Sequence, residues 1–99
     1  LSMRELDEAT IARARVVVDH RPSALAEAGE LVAAEAAGVT SSRDWAELGE
    51  VLNGTAEGRT SSDQVTLFKS VGQAVQDSVT AALALECARN AGLGRIVEF

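Results

Sequence analysis

The residues best placed to do chemistry in this chain stand together at Ser70-Val71-Gly72. They follow Val65-Thr66-Leu67-Phe68-Lys69, a run without Pro or Gly whose Val, Leu and Phe favour a strand. A long helical pattern over residues 73–91 comes next. Strand, tight turn and helix in that order put the turn at the carboxyl end of a strand, where open α/β sheets bind ligands. The Ser70 hydroxyl can reach a free backbone N–H of the first helical turn, or a ligand bound there. Gly72 lacks a Cβ, so backbone or ligand can approach it closely.

The other reactive side chains are isolated. His20 is the single histidine, and Asp19 beside it could orient the ring for a general base or metal ligand. The plainer reading is a solvated loop histidine. A zinc site needs three or four ligands, which one His and one distant Cys do not supply. Cys87, in mid-helix without an activating partner, reads as a small buried packing residue. No G-x-G-x-x-G follows a strand, since Gly92-Leu93-Gly94 comes after a helix. The polar stretch from Gly58 to Asp63 is either a ligand-facing loop or a solvated linker.

Around these residues the pattern is α/β. Residues 1–14 open with a helix signal, capped by Ser2 or Asp7, with Glu5, Asp7 and Glu8 in the first turn. Val16-Val17-Val18-Asp19 is short and unalternating, as in a strand of a parallel sheet buried on both faces. Pro22 marks a break, with Ser23 a possible N-cap. Ala-rich helical pieces follow at residues 24–28 and 30–37, ended by Gly29 and Gly38. Asp44 is the expected cap of a helix carrying Trp45, Leu48, Val51 and Leu52 on one stripe, stopped by Asn53-Gly54. The helix at 73–91 has apolar residues around a wide arc, which implies contacts on more than one side. Residues 95–99 read as a final strand. Alternation of this kind predicts a largely parallel sheet, too small for an independent α/β domain and so half of one.

Composition excludes several classes. Ninety-nine residues suffice for one small core, in which Trp45, Phe68 and Phe99 are the large pieces. The net charge is -6, with basic residues scattered, which disfavours nucleic acid and anionic membranes as partners. No apolar run is long enough to span a bilayer and no signal peptide is visible. One cysteine allows no internal disulfide, which fits a cytoplasmic setting.

The run from Glu57 to Gly72, followed by Ala74, Gln76 and Asp77, resembles the C-terminal signature of the ornithine cyclodeaminase/mu-crystallin family. Earlier blocks are similar in spacing: Arg4-Glu5-Leu6-Asp7, Ala14-Arg15-Val16-Val17-Val18-Asp19, Glu27-Ala28-Gly29-Glu30 and Glu47-Leu48-Gly49-Glu50-Val51. The resemblance implies NAD(P)-dependent chemistry on small amino or imino acids, in a dimeric enzyme with a Rossmann-like domain and a separate substrate and dimerisation domain. In ornithine cyclodeaminase, bound NAD takes a hydride from the amino acid α-carbon. The imine is attacked by the side-chain amine, ammonia leaves, and the hydride returns to give proline. On that basis residues 1–72 are the C-terminal half of the dinucleotide-binding domain, and residues 73–99 a helix and strand returning to the substrate domain. Ser70 and Gly72 would contact the cofactor and Val71 the substrate. The family's catalytic Asp is expected upstream of this chain. A family Lys that touches the cofactor falls near Met3, where Arg4 is the available cation. By this reading the residues present do not catalyse alone. The alternative is a non-catalytic binding or self-assembling module of the same fold.

Overall fold

Val16, Val17 and Val18 form the middle of the sheet, and the computed structural model, which describes residues 2–98, builds outward from them. Strand β1 (Ala14–Val18) pairs in parallel with β3 (Val65–Lys69) along its whole length. On its other side it pairs in parallel with the two-residue β2 (Ala46–Glu47), giving the order β2-β1-β3. Val18 is level with Glu47 on one side and with Lys69 on the other. The three carboxyl ends therefore lie along one edge. This is the α/β architecture the alternation predicts.

Side chains alternate across a strand. Val16 and Val18 turn to the face covered by α1 (Glu8–Arg13), α2 (Arg21–Glu27) and α3 (Gly29–Ala36), where they join Ile11, Ala24, Leu31 and Trp45 in the core. Alanines at 24, 28 and 34 are all buried and let the helices approach closely. Val17 lies on the other face, beside a shallow hollow of about 280 Å³ lined by Leu48, Val51, Thr66 and Phe68. Asp7 caps α1, its Oδ1 accepting from the Thr10 N–H at 2.7 Å.

Polar side chains tie the loops to this frame. Arg15 donates to the carbonyls of Asp44, at 2.7 Å, and Glu57, at 3.1 and 3.2 Å. Arg21 donates to the Trp45 carbonyl at 2.7 Å and pairs with Glu50 at 3.1 Å. Lys69 lies 2.8 Å from both Glu5 Oε2 and Glu30 Oε1. Glu30 is 2% exposed, so Lys69 neutralises a charge held inside the protein. The approach to Glu30 is off the hydrogen-bond direction, so that contact acts through charge.

Several expectations are corrected. Asp44 caps no helix. Trp45 is buried in the core with its indole N–H on Thr40 Oγ1 at 3.0 Å, and its carbonyl is taken by Arg21, so the backbone there stays extended. Helix α4 begins only at Leu48 (Leu48–Leu52), after a strand that the helical spacing of apolar residues masks. Ser23 lies inside α2, whose N-cap is His20. Cys87 is exposed rather than buried. Residues 95–98 form no strand and pair with no edge of the sheet, and Ile96 is exposed; Phe99 lies outside the described residues. Helix α5 (Ala74–Asn90) buries none of its residues, and Val75, Val79, Leu83 and Leu85 are all exposed.

Lys69→Met leaves Glu30 charged and enclosed, which should cost about 3 kcal/mol in urea unfolding. Adding Glu30→Leu to that variant should recover much of the loss; an equal loss in the double variant would show that the pair is not the cause.

Candidate functional site at the carboxyl edge of the sheet

The parallel register brings Asp19, which follows β1, next to Ser70, which follows β3. The Asp19 carboxylate grips the whole turn. Its Oδ2 accepts from Ser70 Oγ at 2.8 Å and from the backbone N–H groups of Val71 and Gly72, both at 3.1 Å. Its Oδ1 accepts from the His20 N–H at 2.8 Å. Burial alone would raise the Asp19 carboxyl, but the Ser70 hydroxyl and the three N–H donors outweigh it and hold the group below the usual carboxylate range. The site residue that sequence reasoning missed is therefore Asp19, which it considered only as a partner for the His20 ring. Its position at the end of a buried strand was the available signal.

His20 has a different partner. Its Nδ1 is 2.8 Å from Ser23 Oγ, which also accepts from Gln73 Nε2 at 3.0 Å. With hydrogen on the far ring nitrogen, Ser23 donates to Nδ1 and the three side chains form a chain from the start of α2 to the start of α5. The ring is not oriented by Asp19. No group of His, Cys, Asp and Glu able to hold a metal occurs among the described residues.

Ser70 is exposed and faces solvent at the edge. Val71 is half-buried, its side chain against the core and its N–H spent on Asp19. Gly72 has φ +88°, with open space where a Cβ would stand. Any other residue would be strained in that left-handed conformation. The polar loop at 58–63 is organised by its own side chains. Arg59 reaches the Gln64 carbonyl at 2.7 Å and Thr66 Oγ1 at 2.6 Å, and Gln64 Oε1 takes the Thr60 N–H at 2.8 Å. A Cβ on Gly58 would meet Val51 Cγ1 at 2.9 Å, so this end of the loop is packed against α4. No helix among the described residues is long and apolar enough to cross a membrane.

The sequence profile of the ornithine cyclodeaminase/mu-crystallin family matches residues 2–92. The chain belongs to that family. A Δ1-pyrroline-2-carboxylate reductase of Bacillus cereus is 43% identical over 100 residues, a match covering 99% of this chain and 31% of that protein. The solved structure of the Δ1-pyrroline-2-carboxylate reductase of Thermococcus litoralis, in complex with NADH and L-proline, superposes with a TM-score of 0.80 at 40% identity. That match covers 95% of this chain and 29% of its own. The iminosuccinate reductase of Paracoccus denitrificans, in complex with NAD+, gives a TM-score of 0.77 at 35% identity over 97% of this chain and 29% of its own. The chain thus spans about a third of the length of the relatives it matches.

Asp19 and Glu30 both lie below their ordinary values in the folded state; for Glu30, burial raises the carboxyl but the Lys69 ammonium prevails. The unfolded chain therefore binds protons first as pH falls. Stability should be full above about pH 5 and lost as pH drops through the lowered native values. Asp19→Asn should flatten that acid limb in pH-dependent urea titrations. Gly72→Ala should cost about 1 kcal/mol by the same measurement, through backbone strain.

Proposed function

We propose that these residues serve as the C-terminal part of an NAD(P)-dependent enzyme that reduces small cyclic or open-chain imino acids, with hydride exchange at an α-carbon. The observation that carries this reading is the similarity to the Thermococcus enzyme holding NADH and L-proline, over nearly the whole chain, including the turn that Asp19 fixes. Imine reduction is favoured over the ornithine-to-proline reaction because the relatives at 40% identity and above include pyrroline-2-carboxylate reductases. The cyclodeaminase reaction is the finer alternative, since it passes through the same kind of carbon–nitrogen double bond.

The residues present fit one end of a dinucleotide. Ser70 offers an exposed hydroxyl oxygen, and the open space over Gly72 admits a flat ring close to the backbone. The chain offers no glycine-rich strand-to-helix turn for a pyrophosphate, so that part of the cofactor must be held by other residues. In this reading residues 1–72 complete the dinucleotide-binding domain. Residues 73–99 lead toward a substrate domain, and Val71 lies nearest the substrate. The cofactor supplies the hydride when bound. This chain's residues fix its ring and keep the turn rigid.

A second reading is assembly, favoured by α5. Its 17 residues bury nothing here, and its apolar side chains face solvent. The occupant on this reading is a second copy, giving a homodimer.

The full-length protein should oxidise NADH with Δ1-pyrroline-2-carboxylate and release little ammonia from ornithine with NAD+. Ammonia and proline from ornithine at the faster rate would put cyclodeamination first, and no dinucleotide binding by fluorescence would remove the enzyme reading. Multi-angle light scattering should give a dimer that persists on dilution; a stable monomer would overturn the assembly reading.

A further inference from the structure

Helix α5 leaves the sheet as a free arm. None of its 17 residues is buried, and the Ser78 hydroxyl bonds within the helix, to the Ala74 carbonyl at 3.3 Å. At about 1.5 Å per residue the arm is about 25 Å long. A rotation of about 10° at its root therefore carries the far end about 4 Å. The direction of the arm depends on what holds that root.

The root is Gln73, the N-cap of α5, in extended backbone at φ −134° and ψ 126°. A capping side chain ordinarily accepts from the free N–H groups of its own helix, and Gln73 makes no such bond. It reaches 50 residues back along the chain instead. Its Nε2 donates to Ser23 Oγ on α2 at 3.0 Å, and Ser23 Oγ lies 2.8 Å from Nδ1 of His20, the N-cap of α2. Gln73 and Ser23 are half-buried, whereas residues 74–87 are all exposed. Asp19 secures residues 70–72 through separate bonds. Gln73 is the side chain that fastens the start of the arm to the helical layer. A carboxamide, a hydroxyl and an imidazole can each exchange donor for acceptor, so the contact holds in either sense of the chain.

We infer that Gln73 is a positioning residue: joined to Ser23 and through it to His20, it sets the angle at which α5 leaves the sheet. On the proposed reading of residues 73–99 as leading toward a substrate domain, that angle places the imino acid against the hydride donor. This second half rests on that reading and deepens it, while the first stands on the contacts alone. The cofactor is bound without Gln73, and the reaction is slowed without it.

The test uses the full-length protein with Gln73→Ala, Ser23→Ala, Ser23→Thr and the double alanine variant. Spin labels on Cys87, exposed on α5, and on Glu27→Cys, exposed on α2, report the angle as a distance distribution by double electron–electron resonance. Any other cysteine is replaced, and labelled protein is diluted with unlabelled. Each alanine variant should broaden the distribution and lower kcat for Δ1-pyrroline-2-carboxylate about tenfold, the scale of a small misplacement of reacting groups. NADH affinity, followed by fluorescence, should not change. The double variant should be no slower than either single one, since both remove the same contact. Ser23→Thr keeps the hydroxyl and should restore both the narrow distribution and the rate.

An unchanged distribution in both single alanine variants would show that the contact does not set the angle, and the inference falls. A broadened distribution with kcat unchanged would overturn the positioning role in the reaction and leave the angle assignment standing. Weaker NADH binding with kcat unchanged would make Gln73 a cofactor contact instead, against the inference. If the unmodified protein binds no NADH, the enzyme reading fails and takes the second half with it. The distance distributions then still decide the first.

Discussion

Four hydrogen bonds to one carboxylate hold the working edge of this protein together. Asp19 stands where β1 ends, and Ser70, Val71 and Gly72 stand where β3 ends. Two parallel strands level at their last residues leave a gap of one strand spacing between the backbones that emerge from them. A carboxylate is the right length to cross that gap and the right chemistry to collect several N–H and O–H donors at once. The left-handed Gly72 lets two successive N–H groups converge on one oxygen. Without that convergence the turn would present its donors to solvent, and the position of Ser70 would be left to the flexibility of an exposed loop.

The remaining features serve this edge. The Val-rich strand buries its centre, which fixes the register and so the level of the two ends. Lys69, one residue before the turn, reaches between Glu30 on α3 and Glu5 near the start of the chain. Its ammonium is raised above its usual range by those two carboxylates. It fastens the end of β3 to the helical layer at the point where the chain leaves the sheet. Arg15 and Arg21 do similar work on the β2 side, holding the carbonyls of Asp44 and Trp45. A small sheet with one long pair and one short one is kept in shape by charged side chains from its own edges.

The fold was legible where a single local rule governed. Three consecutive valines announced the buried strand, and Val65 to Phe68 announced its partner. Residues 44–52 were misread because Trp45, Leu48, Val51 and Leu52 satisfy helical spacing while the core needs only Trp45. Tertiary demand from Arg21 and Thr40 overrode the periodicity there. Residues 95–98 have strand-forming side chains but pair with neither edge of the sheet, and propensity without a ladder makes no strand. At the site, the Ser70 and Gly72 positions were readable from the strand-turn-helix pattern. Asp19 was readable only as the residue that ends a buried strand, since its partners in the turn lie 51 to 53 residues away and no local spacing encodes them. Chemistry contributed by one side chain to a distant turn is visible only once the register is known.

That separation also bears on how the segment comes to be folded. The ladder between β1 and β3 joins residues about fifty positions apart, and the Asp19 contacts close over the same span. Closing a loop of that length is opposed by chain entropy before any contact offsets it, so the pairing is slow compared with the helices that lie between. During synthesis β1 emerges first and must wait, its valines uncovered on the side where β3 will lie, until the ribosome has delivered residue 69 and released it. The helices α1 to α3 can shelter one face of the strand in that interval, whereas the β3 edge stays open. The turn that receives the cofactor in our reading is thus among the last parts of the sheet to be secured.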